Sequence, residues 1–278
     1  MRLGYNQEMA SLQSKDRRLM RFSLRGLLVL IVLLAAPLGW AAAKLNKVRR
    51  QRAAIAALQQ AGLQAEYSDR ESRFPELQRT MEDLLGADGL RDVEGFYMYN
   101  VVSHSDDQSR EVQFSIDEGL AHIRLFTKLR YLFLNRMNMT GASLRYLQGL
   151  PQLASLRLDG SNISDAWLAH LEAVPHLKAL GLEGTKITDA GLVHVRRLGE
   201  LEYLNLAGTS ITDSGVAHLR ALDQLTDLVL SNTAVTDDGL EPLQKLAHLS
   251  ELWLGSTHVT HLGVLKLKRE RPNLSVVR

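Results

Sequence analysis

Nine histidines are the first residues to test for chemistry. Four of them, His122, His170, His194 and His218, recur at nearly one position of a repeating unit. A metal array would need neighbouring ligands to converge. No two histidines lie four apart with a carboxylate, and His258 and His261 are three apart, so the zinc-hydrolase pattern is missing. Ser161, Thr185, Thr209, Thr233 and Thr257 offer hydroxyls at one repeat position. A nucleophile needs an adjacent base. A hydroxyl ladder in strict register is instead expected to bond the turn backbone of an adjacent coil. The acidic pair Asp106-Asp107 reads as a solvated loop. There is no nucleophile elbow, phosphate loop or dinucleotide fingerprint. There is also no cysteine, which removes disulfides and thiolate chemistry. These residues point to binding rather than catalysis, with no cofactor and no metal.

The elements that would position a binding surface follow from a period of 24 residues. Leu129, Leu153, Leu177, Leu201, Leu225 and Leu249 open six units. Leucines follow three and five residues later in every unit, from Leu132 and Leu134 to Leu252 and Leu254. L-x-x-L-x-L has the alternation of a short strand with one apolar side. Stretches such as 188–198 have helical spacing, with Thr188 or Asp189 able to cap the helix. Gly191, Gly215 and Gly239 sit where a Cβ would crowd the neighbouring coil. One unit cannot bury its leucines alone, but stacked units can, so the repeat predicts a solenoid.

The unit L-x-x-L-x-L-x-x-T-x-(I/V)-T-D-x-G-L-x-x-L resembles the leucine-rich-repeat family. The likeness extends to the bacterial subclass related to the repeats of F-box-type substrate receptors, and covers roughly residues 93–278. It implies an α/β leucine-rich-repeat solenoid, with parallel strands on a concave face and helices outside. The lead RFSLRGLLVLIVLLAAPLGW and the basic, Ala-rich stretch after it resemble the N-termini of repeat proteins abundant in planctomycete-type bacteria. No F-box precedes the repeats, so a ubiquitin-adaptor role is not implied.

The non-leucine strand positions would face solvent on the concave side. The candidate binding residues there are Tyr131, Phe133, Arg157, Asp159, Glu183, Tyr203, Asn205, Asp227, Glu251 and Trp253. Exposed aromatics beside arginine are the residue types of binding hot spots. Phe133 and Trp253 could alternatively cover the two ends of the sheet. Small residues at Ala179 and Gly181 would leave a recess between the aromatics. The expected function is a non-catalytic protein–protein interaction scaffold held at a membrane. The alternative is a receptor-like module for a glycan or small envelope ligand.

The net charge of +2 conceals a division. Residues 1–52 carry eleven Lys/Arg against two Asp/Glu; the remainder carries 22 against 29. An acidic body has no basic face for phosphates, so nucleic acid is not an expected partner. Gly26 to Ala43 contains no charge, reaches roughly 27 Å as a helix and is flanked by cations. It reads as a single transmembrane helix, with a cleaved signal ending at Ala41-Ala42-Ala43 as the alternative. The expected order is a basic tail over 1–25, the transmembrane helix over 26–43, a helical stalk and connector over 44–92, and the repeats over 93–278. Both flanks are basic, so the charge asymmetry that sets orientation is weak; a short N-terminal tail that stays inside would put the repeats outside the cytoplasm. A short helix is expected near Glu76–Leu85. A seventh, degenerate unit should use Gly95–Asn100 as its strand and Asp117–Leu120 as its helix start. An insertion with a hairpin over Glu111–Phe114 would separate them. At the far end, 273–277 resembles a last strand one residue out of register.

Overall fold

The computed structural model describes residues 24–60, 63–67, 93–97, 120–139 and 143–278. Residues 1–23 of the tail expected over 1–25, the helix near Glu76–Leu85, the hairpin at Glu111–Phe114 and the start of the degenerate unit at 117–119 lie outside the described residues. The chain divides into two compact units, 1–48 and 49–278.

The first unit contains most of helix α1, Leu24–Gln60. This helix runs through the charge-free stretch 26–43, whose side chains lie largely outside the described residues. Among the described residues, no helix is long and apolar enough to cross a membrane.

The second unit is a solenoid built on one nine-stranded sheet in sequence order, β1 to β9. The strands are β1 Gln64–Tyr67, β2 Val93–Tyr97, β3 Tyr131–Phe133, β4 Ser155–Arg157, β5 Ala179–Gly181, β6 Tyr203–Asn205, β7 Asp227–Val229, β8 Glu251–Trp253 and β9 Ser275–Val277. From β2 onward every pairing is parallel, and the six regular strands keep Leu132, Leu156, Leu180, Leu204, Leu228 and Leu252 opposite one another. All six are fully buried. The second strand leucine adds a ladder bond: the N–H of Leu158 donates to Gly181 O and that of Leu182 to Asn205 O, each at 2.9 Å. Thus the alternation that buries the leucines also satisfies the backbone at the same positions.

The convex side is made of short turns. The α-helical pieces are α2 Asp165–Leu168, α3 Asp189–Val195, α4 Asp213–Val216 and α5 His261–Glu270; Ser143–Gly149, Asp237–Leu240 and Pro242–Lys245 are 3₁₀ turns. Coils are latched to each other by a polar ladder. Asp165, Asp189, Asp213 and Asp237 each accept the backbone N–H of the threonine one coil on and that threonine's O–H, at 2.6–2.8 Å. Those threonines, Thr188, Thr212, Thr236 and Thr260, in turn accept a backbone N–H two or three residues on, in the first turn of their own helix. Capping therefore falls to threonine, while the aspartate reaches forward. The glycine expectation holds: a Cβ at Gly191 would stand 2.5 Å from Asp165 Oδ1, and Gly215, Gly239 and Gly263 meet the preceding aspartate similarly.

Several expectations are corrected. Thr185, Thr209, Thr233 and Thr257 donate to the carbonyl three residues back in their own coil, at 2.6–2.8 Å. Only Ser161 among these hydroxyls donates to an adjacent coil, at Leu134 O. The stalk expected over 44–92 is partly core: Ala54, Ile55, Leu58 and Leu63 are buried in the solenoid's apolar cluster. Their spacing puts one apolar stripe on α1, and β1 then turns antiparallel against β2 to close the first edge of the sheet. The compact unit that contains the repeats spans 49–278. Strand β2 begins at Val93 rather than Gly95, and places Phe96 in the leucine column, where its ring meets Phe126 edge-on at 4.9 Å. Strand β9 is in register after all: Val276 pairs with Leu252, and it is Leu274 that sits one residue late.

Candidate functional site

The register fixes two rows of side chains on the concave face. Tyr131, Ser155, Ala179, Tyr203, Asp227 and Glu251 form one; Phe133, Arg157, Gly181, Asn205, Val229 and Trp253 form the other. Asn135, Asp159 and Glu183 follow two residues beyond the second row.

At the centre, these rows assemble a single cluster. The Arg157 guanidinium lies 5.5 Å from the Phe133 ring centroid on the preceding strand. It also lies 5.8 Å from the Tyr203 ring, two strands away. It can span β5 because Ala179 and Gly181 raise almost no side chain there. Gly181 is occupied from above: a Cβ at that position would stand 2.7 Å from Asp159 Oδ1 and 2.9 Å from Oδ2. The Asp159 carboxylate accepts the Glu183 N–H at 3.0 Å. Glu183 Oε2 accepts from Asn205 Nδ2 at 3.0 Å, and Asn205 Oδ1 accepts the Ala207 N–H at 3.0 Å. The N–H of Asp159 itself donates to Asn135 Oδ1 at 3.1 Å.

Electrostatics follow this crowding. Burial pushes the Asp159 carboxyl above its ordinary 3.8, against the Glu183 N–H and the Arg157 charge, which hold it down. Burial likewise raises the Tyr203 hydroxyl, again opposed by Arg157. Arg157 itself is exposed. The cluster thus presents one exposed cation beside two aromatic rings, with two carboxylates and an amide bonded into the rim. No adjacent base and nucleophile occur in it. Among the described residues, no group of three or more histidine, aspartate or glutamate residues could hold a metal.

The ten residues singled out by sequence divide accordingly. Phe133, Arg157, Asp159, Glu183, Tyr203 and Asn205 come together. Tyr131 lies beside them but takes Arg130 over its ring at 5.8 Å. Asp227 accepts the Thr226 hydroxyl. Glu251 and Trp253 lie on β8, two strands or ~10 Å beyond Tyr203. Neither Phe133 nor Trp253 covers an end of the sheet, because β2 and β9 lie beyond them. Gly181 was legible as a recess; that an arginine crosses it was not.

This is the fold of leucine-rich-repeat proteins. A family model described as "Leucine Rich repeat" matches residues 201–219 and 225–243. No curated protein matches the sequence. Among solved structures, internalin C2 of Listeria monocytogenes is 24% identical, with a TM-score of 0.51 over 68% of this chain and 71% of its own. A second internalin of that bacterium, InlF, is 18% identical over 56% and 69%, with a TM-score of 0.33. The likeness to internalin C2 is one of fold.

Proposed function

We propose that this chain is a non-catalytic binding protein whose concave sheet takes a protein partner at the Arg157 cluster. The observation that carries this reading is the exposed guanidinium held between Phe133 and Tyr203. Rigid aromatics and a pre-oriented arginine lose little side-chain freedom on binding, and such groups dominate interface energetics. The polar groups around it favour a protein over a glycan: Asp159, Glu183 and Asn205 already bond one another or the backbone. A sugar would need them free. The charge-free stretch 26–43 anchors the chain in a membrane in this reading, with the repeats on the non-cytoplasmic side.

A photo-crosslinking residue at position 203 in membranes should trap a discrete protein, and Arg157→Ala should reduce its capture about thirtyfold. Unchanged capture by Arg157→Ala would remove the site from contention; saturable binding of a soluble polysaccharide would favour the glycan reading. Alkaline extraction tests the anchor, and protease access on intact cells tests the side. Release at high pH would show that no spanning helix holds the chain.

A further inference from the structure

The last coil reverses the charge of the solenoid. Residues 158–260 carry fourteen carboxylates against six Lys/Arg, whereas 261–278 carry five Lys/Arg against one carboxylate. Two of those cations are committed to structure. Arg271 donates to the carbonyls of Gln244, Leu246, Ala247 and Leu249, closing the preceding coil, and Arg278 donates to Val259 O. Lys266, Lys268 and Arg269 remain, all exposed, and none is in an ion pair among the described residues.

These three cations surround exposed leucines. Helix α5 shows Leu262 at 60% and Leu265 at 51% exposure. Leu262, Leu265, Lys266 and Arg269 stand at i, i+3, i+4 and i+7, hence on one helix face. Stacking of a further coil does not account for the exposure of Leu262. The counterparts of Leu262 in earlier coils are Ala190, Ser214 and Asp238, and each stays exposed although another coil follows it. At the position of Leu265, Ala169, Val193 and Ala217 are half-buried and Glu241 is exposed. Ala190, Ser214 and Asp238 precede Leu262 at its position, and Val193, Ala217 and Glu241 precede Leu265; leucine occupies both positions only where the cations gather. The helix is also the longest of the repeats, and Thr260 caps it by accepting the Gly263 N–H at 3.1 Å.

We infer that the outer face of α5 is a docking surface for an anionic lipid bilayer. Leu262 and Leu265 enter the headgroup boundary while Lys266, Lys268 and Arg269 meet the phosphates. A basic helix face with a small apolar strip suits an interface in which electrostatics supply most of the attraction. The acidic coils before it are repelled by the same surface, so only the end of the solenoid approaches. This surface is distinct from the concave cluster and from the proposed anchor.

The absence of cysteine makes the test direct, because one introduced thiol labels one site. The full chain carrying Leu262→Cys and an environment-sensitive fluorophore is reconstituted in vesicles of phosphatidylcholine, alone or mixed with phosphatidylglycerol. Emission should shift to the blue only in the mixed vesicles and return at high salt, where screening shortens the reach of surface charge. A label at Ala190→Cys should not respond. Lys266→Gln, Lys268→Gln and Arg269→Gln together, with circular dichroism unchanged, should weaken docking about a hundredfold. Equal emission in both vesicle types would overturn the inference. So would a shift that appears without anionic lipid on adding more of the chain or an acidic protein. Resistance to alkaline extraction, read on the same vesicles, reports the anchor separately, so failure of one leaves the other interpretable.

Discussion

At the residue scale, two aspartates with opposite shifts make opposite contributions to stability. The Asp159 carboxyl is raised, chiefly by burial. Its contribution favours the fold below the ordinary value of 3.8 and is lost as pH rises through the higher folded value, so at neutral pH the half-buried charge is a cost. Asp159→Asn should therefore raise the urea midpoint at neutral pH, with the gain shrinking in acid. Asp237 is lowered, first by the Thr260 hydroxyl and then by its N–H. Its stabilisation is present at neutral pH and fades as pH falls through a value below 3.8. Asp237→Asn should lose stability at neutral pH and converge with the parent chain in acid. Sequence distinguishes these residues only in part. The recurrence of aspartate before x-Gly-Leu marks a ladder, but the burial of Asp159 depends on Gly181 opposite it, which no local pattern announces.

At the scale of the element, the coils carrying Asp165, Asp189, Asp213 and Asp237 are held to the next by a latch that fits only if that next coil has a glycine. A Cβ at Gly215 would fall against the Asp189 carboxylate, which holds Thr212 by both of its oxygens. Gly215→Ala should cost about 2–3 kcal/mol in denaturant unfolding, the size of one or two charge-assisted hydrogen bonds. In an Asp189→Ala background the same substitution should cost much less, because the clash and the bonds are already gone. The turn after each strand makes a second demand. Arg136, Gly160, Gly184, Gly208, Asn232 and Ser256 occupy one repeat position, all with φ between 57° and 70°. Gly208→Ala should destabilise by roughly 1–2 kcal/mol through backbone conformation alone, since its neighbours leave room for a methyl group. The strands were legible because three leucines per unit state the alternation. Strand β1 was not, because Gln64–Tyr67 has no such alternation and follows a run of good helix formers. The apolar stripe of Ala54, Ile55 and Leu58 was present in the sequence, yet the basic, helix-forming run just before it made the segment read as a stalk continuing the membrane helix.

For the whole molecule, stability is the sum of coils and the interfaces between them. Leu204→Ala in the middle of the column should cost about 3 kcal/mol, since a fully buried leucine leaves a cavity that stacked neighbours cannot collapse. Amide exchange should be slowest in β4 to β7 and faster in β9, whose outer edge pairs with no described strand, while β2 is guarded by β1. The repeat made this architecture readable far more fully than the site it carries. Leucines report their own burial through spacing. The Arg157 cluster depends on reach across two strands, and the α5 surface depends on which cations the backbone has already claimed. The body as a whole counted as acidic, and that total hid a basic final coil.

The forward latch has one more consequence. Each aspartate and its threonine partner sit 23 residues apart, and the units that open at Leu177, Leu201 and Leu225 carry both halves. A duplicated unit would find a matching partner above and below. Gaining a copy of the β7 unit would move Trp253 away from Tyr203 by ~4.8 Å while leaving a copy of the same strand beside each ring. The span between two contact points can therefore be retuned by recombination, one rung at a time, while the chemistry at each point stays fixed.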